Sequence, residues 1–110
     1  MRGLMMDFPL TIPTLLERAR NEFGRVEVVW RCPDKTVERY TMGKLYRRAR
    51  ALAEVLTRAG LRKGDRVATL MWNHDTHMEA YLGVPVAGGV LHTLNLRLHP
   101  TEQRRLYASI

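Results

Sequence analysis

Arg66-Val67-Ala68-Thr69-Leu70-Met71, the span Asn73 to Ala87, and Val90-Leu91-His92-Thr93-Leu94 together decide the fold. The outer two pieces are short apolar runs of the kind buried on both faces of a parallel sheet. Between them His77, Ala80, Tyr81 and Val84 fall at helical spacing, with Asn73 or Asp75 placed to cap the start. Pro85 should shorten or kink the end of that helix. Strand, helix and strand in this order make a β-α-β unit, whose two strands run parallel.

Working outward toward the amino terminus, Gly60-Leu61-Arg62-Lys63-Gly64-Asp65 is a turn that delivers the chain to the first of these strands. Before it, Thr41 caps a predicted helix. Leu45, Ala49, Leu52, Leu56 and Ala59 share one face, Arg47, Arg50, Glu54 and Arg58 share the other, and Gly60 provides a left-handed stop. Glu54 lies four residues from both Arg50 and Arg58, so this basic face should be partly neutralised. Val26 to Cys32 and Thr36 to Tyr40 read as a hairpin around Pro33-Asp34-Lys35. Pro13 suits the first turn of an earlier helix that sets Ile12, Leu15, Leu16, Ala19 and Phe23 on one side and stops at Gly24.

Residues 1–10 show no periodicity and are expected to form a flexible arm. At the other end, His99-Pro100-Thr101-Glu102 opens a last helix. The predicted class is α/β: a partial parallel sheet with flanking helices, plus an amino-terminal helix and a β-hairpin. Residues 11–110 are expected to be part of a larger domain whose third parallel strand would follow the last helix.

The chain has 110 residues, 18 Lys and Arg against 11 Asp and Glu, and a formal net charge of +7. Such a balance raises nucleic acid as a partner. Neither an aromatic platform nor a recognised binding motif accompanies it, so a solvated arginine-rich face is preferred. Every apolar run is interrupted well short of the roughly 18 residues that cross a bilayer. No secretory core accumulates before Asp7 and Pro9, and Cys32 is the only cysteine, which excludes an intrachain disulfide and suits a cytoplasmic location.

Three stretches in order resemble the amino-terminal region of the adenylate-forming acyl-CoA synthetases, especially bacterial long-chain fatty acid–CoA ligases. They are Tyr40 to Ala49 with Leu52 and Ala53, Gly60 to Ala68, and Asn73-His74-Asp75-Thr76-His77-Met78-Glu79-Ala80-Tyr81 continuing through Gly88 to Leu98. The resemblance implies a larger enzyme that makes an acyl adenylate from a carboxylate and ATP, with magnesium, and passes the acyl group to coenzyme A. It also implies the remainder of a ligase chain as the first partner. The family's Ser/Thr/Gly-rich phosphate loop, its ribose-binding aspartate, its acidic magnesium ligand and its mobile lysine have no counterpart in these residues. No catalytic residue can be assigned, no cofactor is expected on this segment, and the segment is expected to be inactive alone.

Asn73, His92, Asn95 and Arg97 lie near the carboxyl ends of the two predicted parallel strands, the edge where open α/β sheets place ligands, and are the substrate-side candidates. The alternative is that Asn73 and Asn95 organise loops and Arg97 pairs with a carboxylate. A stable metal site needs three or four convergent ligands, which the sequence does not identify around His74, Asp75, His77 and Glu79. No metal site is therefore assigned, and local capping by a histidine is preferred. Cys32 reads as a small buried hydrophobe, and Trp30, Trp72, Tyr40, Tyr46 and Tyr81 as core or strand residues. A second functional class remains open: a self-associating module that forms a homodimer through the arm or the open sheet edge.

Overall fold

The computed structural model describes residues 6–108, so part of the predicted arm lies outside the described residues. Helix α1 spans Ile12–Phe23, strands β1 and β2 Glu27–Arg31 and Val37–Thr41, and helix α2 Met42–Arg58. Strand β3 (Arg66–Thr69), helix α3 (Asp75–Val86), strand β4 (Val90–Thr93) and helix α4 (Pro100–Tyr107) complete the order. No described helix is long and apolar enough to cross a membrane.

β1 and β2 pair antiparallel, with Val29 opposite Arg39. Their connection follows from local chemistry. The Lys35 N–H donates to the Cys32 carbonyl at 2.9 Å, and Lys35 itself sits at φ 71°, the left-handed position of a three-residue hairpin loop. Asp34 Oδ1 accepts from the Thr36 N–H and hydroxyl at 3.0 and 2.6 Å, which holds its carboxyl below the usual range.

Thr41 ends β2 and also caps α2, its hydroxyl accepting from the Lys44 N–H at 3.2 Å. α2 buries Leu45, Ala49 and Ala53 against α1 and α3, while Leu52 and Leu56 are half-buried and Ala59 is exposed. The predicted face is therefore rotated slightly toward Ala53 and stops short of Ala59. Gly60 follows with φ 99°, a backbone state that a side chain disfavours. α1 forms where predicted, but of its apolar stripe only Leu16 is buried and Leu15 and Phe23 are exposed. Periodicity identifies the stripe without identifying what covers it.

β3 and β4 pair in parallel, Arg66 with Val90 through Thr69 with Thr93. α3 packs on one face of this pair and α2 packs on the far side of α3. The expectation of strands buried on both faces is corrected: Arg66, Ala68 and Val90 are exposed, because no described helix covers that side. The cap of α3 is corrected from Asn73 or Asp75, while the preferred capping by a histidine is found. His74 occupies the position, its Nδ1 accepting from the Thr76 N–H at 3.2 Å. α3 ends one residue past Pro85, and α4 carries no buried residue, so the last helix completes no core.

Candidate functional site

The carboxyl ends of β3 and β4 open into a cavity of about 210 Å³. Asn73, Trp72 and Met71 line it from the loop after β3, Asn95, Leu96 and Arg97 from the loop after β4, and His77 and Tyr81 from α3. Three of the four sequence candidates thus converge. His92 does not: it pairs with Ala68 inside the sheet, and strand alternation places it with Val90 on the side away from α3.

Asn95 organises its own loop, Oδ1 accepting from the Arg97 N–H at 2.9 Å. Arg97 is exposed and enters none of the ion pairs among the described residues, which leaves its charge at the cavity rim rather than on a carboxylate partner. Trp72 is 64% exposed and Tyr81 is also exposed, so the reading of both as core residues is corrected. Sequence reasoning missed Trp72, His77 and Tyr81 as lining residues. The signal was present: Trp72 adjoins Asn73, and His77 and Tyr81 lie one helical turn apart.

His77 is the buried member of this group. Its Nε2 shares a hydrogen bond of 3.1 Å with the Thr69 hydroxyl, and its ring stacks obliquely on Tyr81 with centroids 4.8 Å apart. Burial lowers its pKa from the ordinary value, helped by repulsion from His74 and opposed by the Trp72 backbone. The ring is therefore neutral at neutral pH.

A second polar cluster lies beneath. Glu79 is buried on α3 and pairs with Arg48 of α2, which raises the Arg48 pKa through that hydrogen bond and charge. The Tyr40 hydroxyl, buried without a hydrogen-bond partner, has its pKa pushed up to about 12 by burial and then by the charges of Glu79 and Asp75. Among the described residues no group of three or more His, Cys, Asp or Glu converges on a metal position. His77 is turned to Thr69, and Glu79 to Arg48. Gly64 and Gly88 serve turns: Gly64 donates its N–H to the Gly88 carbonyl at 2.9 Å, and both have positive φ.

Several arginines are engaged in ion pairs. Arg39 pairs with Glu27 and Arg58 with Glu54, while Arg50 reaches Glu17 on α1 rather than Glu54, correcting half of the expected Glu54 pairing. Cys32 is half-buried with a free thiol.

Residues 15–109 match the AMP-binding enzyme family. The chain is 51% identical over 98 residues to a long-chain-fatty-acid–CoA ligase of Thermus thermophilus, covering 89% of this chain and 18% of that protein. It is 40% identical over 102 residues to a 3-methylmercaptopropionyl-CoA ligase of Ruegeria lacuscaerulensis, covering 93% and 19%. The structure superposes on a Mycobacterium tuberculosis fatty acyl CoA synthetase with a TM-score of 0.76 at 28% identity, over 87% of this chain and 19% of that one. The chain thus spans about a fifth of the length of the proteins it matches. It belongs to the AMP-binding enzyme family, with the α/β fold of the amino-terminal part of an acyl-CoA synthetase.

Proposed function

We propose that the chain is the amino-terminal scaffold segment of a cytoplasmic fatty acid–CoA ligase, whose whole reaction joins a fatty acid to coenzyme A while converting ATP to AMP and pyrophosphate. The observation that carries this reading is the 51% identity to the long-chain ligase over nearly the whole chain. The surface agrees with it. The chain exposes 8675 Å², against about 6,200 Å² for a self-contained monomer of its 12.7 kDa mass. An excess of that size is of the order buried in obligate interfaces.

In this reading α1, α2 and α3 hold the β3–β4 unit, and Asn73, Asn95 and Arg97 present polar groups on the substrate side. ATP and magnesium are gripped by residues outside this chain, and the chain alone has no adenylating activity. A self-associating module would instead pair through the arm or the open sheet edge, and sedimentation distinguishes it by a discrete dimer.

Replacing the matching segment of the Thermus thermophilus ligase with this chain tests the proposal. Fatty acid-dependent ATP–pyrophosphate exchange should persist in the graft and be absent from the chain alone. A folded graft without exchange would overturn the scaffold assignment, and exchange by the chain alone would overturn its dependence on the remainder.

A further inference from the structure

One threonine holds the end of the parallel pair from two directions. The Thr69 carbonyl accepts the Leu94 N–H at 2.8 Å, while its hydroxyl meets His77 Nε2 at 3.1 Å. Thr69, Leu94 and His77 are 7%, 8% and 5% exposed, so these hydrogen bonds are shielded from competing water. Immediately beyond this point the chain leaves the sheet on both sides, into the loops that carry Trp72 and Arg97 to the cavity.

Shape alone does not account for an imidazole here. Its buried Nδ1 makes no hydrogen bond of full geometry, the Trp72 backbone acting on the ring only weakly, a cost that an apolar side chain of similar volume would avoid. What an apolar residue would lose is the bond to Thr69.

We infer that His77 is a positioning residue for the strand-end cavity: through Thr69 it fixes the loops bearing Trp72 and Arg97, and so sets how the cavity admits the acyl group of the substrate. The naming of an acyl group rests on the ligase reading, whereas the clamp itself rests on geometry alone.

Trp30→Phe leaves Trp72 as the only tryptophan and hence a reporter of the clamp. In that background His77→Ala and Thr69→Val should each raise collisional quenching of Trp72 and lower its anisotropy, with helical circular dichroism retained. His77→Gln, whose carboxamide can still bond to Thr69, should restore most of the signal. Losing a hydrogen bond of this class multiplies the detached population by about two- to tenfold. In the ligase graft the same variants should raise the fatty acid KM by a similar factor with kcat preserved.

Unchanged Trp72 mobility in folded Thr69→Val overturns the clamp, and that variant decides the matter should His77→Ala fail to fold. Mobility that rises while KM stays put overturns the assignment to acyl entry. An inactive parent graft would instead defeat the ligase reading and leave the fluorescence result standing.

Discussion

His77 behaves in opposite ways in the folded and unfolded chain. Burial, then His74, holds its folded pKa below the ordinary 6.5. As pH falls through about 6.5, the unfolded chain takes up a proton that the folded chain resists, so the unfolded state binds more protons and stability declines with acid. Thermal unfolding followed from about pH 7.5 to about pH 5.5 should show a larger loss for the native sequence than for His77→Gln, with parallel behaviour above about pH 7. Superimposable profiles throughout would mean that the ring protonates freely in the fold. At this scale the sequence is only partly legible. It marks Asn73, Asn95 and Arg97 because they follow predicted strands, and marks His92 for the same reason. Strand alternation carries His92 to the other side, and a count of positions from a predicted strand end cannot fix that phase when the boundary moves by a residue. From sequence His77 offers itself as a ligand or a local capping group, because its partner, Thr69, lies across a packing contact that no spacing rule reveals.

Helices α2 and α3 cross where both present small residues. A β-carbon on Gly83 would lie 2.8 Å from the Ala49 carbonyl oxygen and 3.0 Å from Leu52 Cδ2, closer than rigid backbone and a packed side chain can accommodate. Gly83→Ala should therefore destabilise the chain by about 1–3 kcal/mol despite alanine's better helix propensity. Urea unfolding checks this, and an unchanged midpoint would show that the crossing can open. Removing the hydroxyl that caps α2, by Thr41→Ala, should cost about 1 kcal/mol in the same assay. An equal midpoint would show that water replaces the cap without loss. Thr41 is readable because threonine before an apolar periodic run has a specific job. His74, in the group where capping by a histidine is preferred from sequence, and His99 cap α3 and α4 through Nδ1 at 3.2 and 3.4 Å, but neither is set apart from its neighbours as sharply as Thr41. A histidine accepts only in one neutral tautomer, and so announces this role less clearly than serine, threonine or aspartate. The close approach at Gly83 is invisible in the sequence for another reason: a glycine within a helix lowers propensity whether or not a neighbour requires it.

The molecule as a whole is more open than its length demands. Its radius of gyration is 16.5 Å, against about 13 Å for a compact domain of this many residues. The β3–β4 face bearing Ala68 and Val90 is exposed, and α4 adds no buried residue. Hydropathy patterning implies that such strands are made for burial on both sides, yet it cannot say which chain supplies the second cover. A scaffold segment and a free-standing chain differ on this face. Ala68→Glu places a carboxylate where water already reaches, so in the isolated chain it should shift stability by no more than about 0.5 kcal/mol. If the remainder of a ligase covers the face, the same charge is buried without a partner in the graft and should cost several kcal/mol, on the order of the 3–5 seen for broken buried pairs. Paired urea titrations of chain and graft make the comparison. A substitution equally harmless in both would show that this face stays in water in the larger enzyme, and the excess surface would then need another explanation than a missing cover.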